Sequence, residues 1–224
     1  MIIVTGASGG LGRALVQELA GADVVVGTYF RHPPESTGRW YPLDVTQPDS
    51  IDAFVQAIGP EASKITLVNL AGRSIDRLAI NMTVEEWREV LDVNLTGAFL
   101  MSRALLKVMM KEKWGRIINV SSVVAQSGAP GTAAYAAAKA GLLGLTATLA
   151  KEYARFNITV NCLTLGYFSE GLIHTIPDSA KQALLGRIPL RRLGAHADVA
   201  GAVRYLMGAA YTTGARLDVT GGFS

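Results

Sequence analysis

Short β-branched runs alternate with longer helical stretches along the whole chain, and this alternation leaves few folds open. Strand candidates are Ile2–Thr5, Asp23–Thr28, Ile65–Asn69, Arg116–Ser121, Ile158–Leu163 and Ala215–Val219. Helical segments lie between them, at about Gly10–Ala20, Ser50–Ile58, Thr83–Lys113, Ala133–Phe156, Ser179–Leu185 and Ala197–Met207. Such a sequence predicts an α/β fold, a doubly wound parallel sheet with helices on both faces. The strands are nearly all apolar, as strands buried on both sides must be. One gap is irregular. His32-Pro33-Pro34-Glu35-Ser36-Thr37-Gly38-Arg39-Trp40 carries two prolines and a glycine, which predicts a loop where this architecture places a crossover helix.

Residues 1–224 are read as one domain with a large core, since half of them are hydrophobic and only 17% are charged. That composition excludes a disordered chain. The net charge of +3 comes from 21 basic and 18 acidic side chains with no run of five or six, which reads as an ordinary surface rather than a nucleic-acid patch. The single cysteine, Cys162, lies in an apolar stretch and reads as a buried, inert thiol in a reducing compartment. The N-terminus enters a strand-like run directly, with no leader pattern, and no stretch approaches 18 uninterrupted apolar residues. A cytoplasmic protein without a membrane-spanning helix is expected. His32, His174 and His196 are far apart, so no metal is expected.

The chain from Val4 to Gly12 follows the first strand and opens a helix. Gly6, Gly10 and Gly12, with Ser8 and Leu11 between them, permit a tight turn and close backbone approach to a pyrophosphate at the helix N-terminus. This makes the sheet a Rossmann-type nucleotide fold in expectation. The second strand ends Gly27-Thr28-Tyr29-Phe30-Arg31, without the carboxylate that NAD sites use for the ribose 2′-hydroxyl. Arg31 suits a 2′-phosphate instead, which favours NADP (as NADPH) over NAD.

Tyr135 and Lys139 form a Tyr-x-x-x-Lys pair, with Ser122 thirteen residues upstream. An i, i+4 spacing places both side chains on one helix face. A free phenol has a pKa of roughly 10 and is a poor proton donor at neutral pH. A neighbouring ammonium is expected to lower that value, as acid–base work at a carbonyl requires.

These elements together resemble the short-chain dehydrogenase/reductase family from end to end. The matching positions are Thr5-Gly6, Gly10-Leu11-Gly12, Asp44-Val45 after the third strand, Asn69-Leu70-Ala71-Gly72, Asn94, Ser122, Tyr135, Lys139, Thr213-Gly214 and Gly221-Gly222. Within the family, Gly115–Ser122 and Ala134–Gly141 look most like the 3-oxoacyl-(acyl carrier protein) reductases. The resemblance implies that Ser122 bonds the substrate oxygen and that Tyr135 gives or takes its proton. It implies that Lys139 binds the nicotinamide ribose and that Asn94 holds a water. Asp44 and Val45 would meet the adenine, while Asn69, Ala71, Gly72, Gly166 and Phe168 would line the cofactor. Each has a plainer reading: Ser121 or Ser122 as a strand end, Asn94 bonded to backbone, Asp44 capping a turn before Thr46.

The chain departs from the family pattern at Leu70, at Leu165 and at Glu170. These place the nicotinamide pocket in question. Phe168–Leu190 reads as an apolar substrate lid, which suits an acyl substrate. A carrier-linked substrate needs basic side chains near the cleft, and Lys111, Lys113, Arg116, Lys151 and Arg155 are candidates for contact with an acidic acyl carrier protein. The Ala- and Gly-rich helix Ala133–Phe156 suits packing against a copy of itself, and the resemblance implies a homotetramer. The expected activity is NADPH-dependent reduction of a ketone to a secondary alcohol, most of all a 3-oxoacyl thioester. A dehydrogenase of another small alcohol, sugar or steroid stays open, as does a non-catalytic nucleotide-binding regulator.

Overall fold

Three buried residues, Ile2–Val4, form β1 and pair in parallel on both edges. β2 (Val25–Tyr29) and β3 (Arg39–Pro42) lie to one side, and β4 (Thr66–Asn69), β5 (Gly115–Ser122), β6 (Ile158–Leu165) and β7 (Arg216–Val219) to the other. Among the described residues the seven strands are all parallel, in the order β3-β2-β1-β4-β5-β6-β7. The computed structural model describes residues 1–21, 24–59, 62–169 and 178–223, with only the backbone for 178–181. The direction of winding reverses between β1 and β4, so the crevice at their carboxyl ends is the natural ligand position.

Alternation along the strands sorts the core into two layers. Ile3, Leu67, Ile117 and Val160 face α2 (Pro48–Ile58), α4 (Gly97–Glu112) and α6 (Ala133–Tyr153), meeting Phe54, Met101, Leu105 and Leu149. Ile2, Val4, Val68, Ile118 and Leu163 face α1 (Gly10–Leu19) and α8 (His196–Gly208), meeting Leu15, Val16, Val199 and Val203. Cys162 is buried as expected.

The segment around residue 40 corrects the sequence reading. A loop does replace the crossover helix, but the chain then forms β3, which was not among the strand candidates although the resemblance set a third strand before Asp44. Its four residues end in proline and lack any clear period. β3 is held by Trp40, whose ring lies over Gly27 of β2; a Cβ on Gly27 would sit 2.2 Å from Trp40 Cζ3. Gly27→Val is therefore expected to force the indole away and to cost about 1–3 kcal/mol as overpacking. A denaturant midpoint equal to wild type would show that the strand yields without penalty.

The helix expected over Thr83–Lys113 is a continuous path with an internal widening. α3 (Val84–Leu91) starts with a capping box, in which Thr83 Oγ1 accepts from Glu86 N and the Glu86 carboxylate accepts from Thr83 N, both at 3.1 Å. A π turn at Asp92–Thr96 then joins α3 to α4. Short helix α5 (Val124–Ser127) was not foreseen, while α7 (Asp178–Arg187) lies close to its expected place.

By length and composition, Val84–Glu112 and Ala133–Phe156 are apolar enough to cross a membrane, which the criterion of unbroken apolar runs did not reveal. Both lay one face on the sheet: Met101, Leu105 and Met109 from the first, Leu142, Leu149 and Ala150 from the second are buried. Helices that cover a parallel sheet need that much apolar surface.

Candidate active site

The turn after β1 is built by exclusion. Gly6 has φ +63°, and a Cβ there would lie 2.6 Å from Ala71 Cα. A Cβ on Gly12 would lie 2.6 Å from Ala7 Cα, so the helix can close on the turn only without a side chain. Buried Thr5 fixes the opposite wall, its Oγ1 accepting from Leu70 N and Ala71 N at 3.1 Å each. Gly10 and Leu11 open α1, whose N-cap Gly9 makes no side-chain cap and whose first turn holds no acid. Its amino-terminal N–H groups are left without a side-chain cap at the positive end of the helix dipole, with half-buried Ser8 beside them. This cradle fits the pyrophosphate of a dinucleotide.

The residues expected around the cofactor separate into two kinds. Arg31 is exposed just beyond β2, its guanidinium carbon 5.5 Å from the Phe30 ring centroid. Ala71 and Gly72 border the turn, and a Cβ on Gly72 would lie 3.0 Å from Asn94 Oδ1 and 3.6 Å from Lys139 Nζ. Gly166 abuts Thr220, its added Cβ 2.8 Å from Thr220 Cα. The other side chains are occupied. Asp44 Oδ1 accepts from Thr46 N at 2.9 Å and from Thr46 Oγ1 at 2.7 Å, the plainer of its two readings. Val45 is buried against Gly97, and Phe168 is buried beneath Gly194. Asn69 is buried in β4, its amide donating to Asn119 Oδ1 at 2.9 Å.

Ser122, at the end of β5, and Tyr135, in the first turn of α6, come together. The Ser122 hydroxyl is close enough to the phenol to favour its ionised form. Lys139, one turn further on, is buried, with Nζ 5.6 Å from the Tyr135 ring centroid and donating to Val120 O at 2.8 Å. Asn94 occupies the π turn, a widening that often marks functional sites. Its Nδ2 donates to Arg73 O at 2.7 Å and Val90 O at 2.8 Å, and its Oδ1 accepts from Arg73 N at 3.3 Å. Its amide is thus bonded to backbone and ties the loop after β4 to the helix.

The electrostatics correct one expectation. Burial pushes the Tyr135 phenol up to about 12, Ser122 pulls it down, and the Asp76 carboxylate adds to the rise. Lys139 does not lower it. Burial instead pushes the ammonium down to about 8, with Cys162 acting against that fall. Asp76, exposed in the loop after β4, was missed by sequence reasoning. So was Ser121, whose Oγ donates to Lys139 O at 2.8 Å.

The basic side chains proposed for the cleft lie elsewhere. Lys111, Lys113, Lys151 and Arg155 sit where α4 and α6 end, at the edge where β5 and β6 begin, opposite Ser122. Arg116 is buried, stacked 4.6 Å from the Trp114 ring and donating to Met207 O, Gly115 O and Asn157 O. Of the expected lid, residues 170–177, including Glu170, lie outside the described residues.

A nucleotide cradle at the switch point, with a hydroxyl, a phenol and an amine beside it, defines a nucleotide-dependent oxidoreductase. A family model described as Enoyl-(Acyl carrier protein) reductase matches residues 6–224, and the chain belongs to this family of short-chain dehydrogenases and reductases. It is 41% identical, over 98% of its length and 95% of the relative's, to the 3-oxoacyl-[acyl-carrier-protein] reductase FabG of Vibrio cholerae serotype O1. The protein of that name from Escherichia coli K12 is 38% identical over 98% of this chain and 95% of its own. Nodulation protein G of Rhizobium sp. strain N33 is 37% identical over 99% and 96%.

Proposed function

We propose that this chain reduces the ketone of a 3-oxoacyl thioester, carried on an acyl carrier protein, to the secondary alcohol with NADPH. The observation that carries the reading is the junction of Ser122, Tyr135 and Lys139 beside the glycine turn. Bound along the cradle, the cofactor would supply a hydride to the carbonyl carbon. Gly6, Gly10, Gly12 and the first turn of α1 would hold its pyrophosphate, and Arg31 its 2′-phosphate. Tyr135, whose raised pKa keeps its proton in place at neutral pH, gives that proton to the oxygen as charge develops. The Ser122 hydroxyl donates to the same oxygen and stabilises the transition state. Lys139 holds Val120 O and the ribose; Asn94 keeps the Arg73 loop in place beside it.

The carrier is supported by the names of the relatives rather than by a basic rim on this chain. α6 exposes Ala137, Gly144, Ala147 and Thr148, a small-residue stripe that suits a homotetramer built on α4 and α6. The reading places the protein in the cytoplasm.

The test is turnover with NADPH on a panel of an acetoacetyl thioester, a trans-2-enoyl thioester, sugars and steroids. Ketone reduction supports the proposal; reduction of the enoyl thioester alone would assign the chain to double-bond chemistry, and nucleotide binding with no turnover would make it a regulator. For the cofactor, Arg31→Ala is expected to raise the NADPH Kd about tenfold or more, as loss of one charge-assisted contact does, and to leave NADH unchanged. Equal losses for both nucleotides would remove Arg31 from the phosphate site.

A further inference from the structure

A chain of buried side chains runs beneath the site without touching it. Asn69 Nδ2 of β4 donates to Asn119 Oδ1 of β5 at 2.9 Å, and Asn119 Nδ2 donates to Thr146 Oγ1 of α6 at 2.9 Å. Asn69 Nδ2 also reaches Ser102 Oγ of α4 at 3.2 Å. Ser102 and Asn119 are 0% exposed, Thr146 2% and Asn69 4%. A second tie lies about two turns nearer the chemistry, where Ser121 Oγ of β5 donates to the backbone carbonyl of Lys139 at 2.8 Å.

The four joined elements each deliver part of the site. β4 leads into Ala71 and Gly72, β5 ends in Ser122, α4 continues from the turn holding Asn94, and α6 presents Tyr135 and Lys139. Thr146 stands seven residues beyond Lys139 and shares its buried face. Between and around them that face is Ala134, Ala138, Leu142, Leu149 and Ala150. Small, smooth side chains resist sliding poorly. A slip of one residue moves a helix about 1.5 Å along its axis and turns it about 100°. Directional hydrogen bonds specify that register where apolar packing leaves it loose. The network also leaves Asn69 Oδ1 buried with no partner among the described residues, a cost that an apolar core of the same shape avoids. Its presence is better explained by placement than by stability.

We propose that Ser121 and Thr146 are positioning residues that fix the register of α6 against β5 and so hold the Tyr135 phenol at Ser122. The proposal rests on the ketone-reductase reading above.

Thr146→Val removes the hydroxyl at nearly constant shape, Thr146→Ser restores it, and Ser121→Ala cuts the second tie. Each is assayed for kcat and KM on an acetoacetyl thioester. Each is also titrated for the Tyr135 phenol by tyrosinate absorbance, as the difference from the same protein carrying Tyr135→Phe. For Thr146→Val the expectation is a fall in kcat of about tenfold or more, KM within twofold, and a phenol that titrates higher because Ser122 moves out of reach of it. Thr146→Ser is expected to stay near wild type in both. A folded Thr146→Val with wild-type kcat and titration overturns the proposal. So does a fall in kcat that Thr146→Ser does not rescue. If Thr146→Val does not fold, Ser121→Ala decides by the same two readouts. If the wild type reduces no ketone, the reductase reading fails by itself, and the phenol titration still judges the positioning.

Discussion

Tyr135→Phe is expected to lower kcat by about 10²–10⁴, the usual worth of a positioned general acid, and to leave cofactor affinity intact. The ring remains over Lys139, so packing is conserved and only the transferable proton is lost. Ser122 keeps a hydroxyl donor, which would retain part of the charge stabilisation. The measurement is single-turnover reduction of an acetoacetyl thioester alongside a nucleotide Kd. Wild-type turnover in the variant would show that the proton comes from another group, and Asp76 would then be the first to examine.

The second large effect is a pH-dependent stability that Lys139→Met should abolish. Burial lowers the folded-state pKa of Lys139 from 10.5 to about 8. Below pH 8 both folded and unfolded chains carry the proton, and the folded state bears the full cost of a buried ammonium. Between pH 8 and 10.5 the unfolded chain holds more protons, so stability rises with pH. The full rise is roughly 3 kcal/mol, or about 1.4 kcal/mol per pH unit. Two other groups act in the opposite direction. Cys162 is raised to about 11 and Tyr135 to about 12, so each keeps its proton longer when folded and each makes stability fall at higher pH. The difference between wild type and Lys139→Met isolates the lysine, and pH 7 to 9 is the window in which the others interfere least. Unfolding free energies of the two proteins that stay parallel across that window would mean that the amine is not a buried, costly charge.

Local patterns carried most of the architecture. Apolar alternation gave the sheet and its two helical layers, and the glycines at 6, 10 and 12 marked the turn because a tight strand-to-helix passage has few other solutions. Tyr135 and Lys139 were legible because helical spacing puts them on one face, and Ser122 because its distance from Tyr135 matches the family pattern. What failed to show were properties that depend on distant neighbours. An i, i+4 spacing places an amine near a phenol but carries no information about burial, and burial decided both pKa directions. Arg116 looks like a surface cation before an apolar run; only the fold reveals the three carbonyls that accept from it. β3 escaped because its order comes from pairing with β2 and from the Trp40 ring on Gly27. Thr146 could have been found: a hydroxyl seven residues after Lys139, on a face otherwise apolar, asks for a buried partner.

A sheet whose strands all run one way gives the molecule a polarity like that of a brush. The bristle end, past Val4, Asn69, Ser122 and Leu165, gathers loops, glycines and titratable groups. At the handle end Arg116 stands in register between Thr66 and Thr159, among strand starts and the basic ends of α4 and α6, far from the chemistry. Damage should therefore sort along the strand axis. Substitutions near the handle will be felt by a calorimeter and those near the bristles by a stopwatch, with few sites in between felt by both.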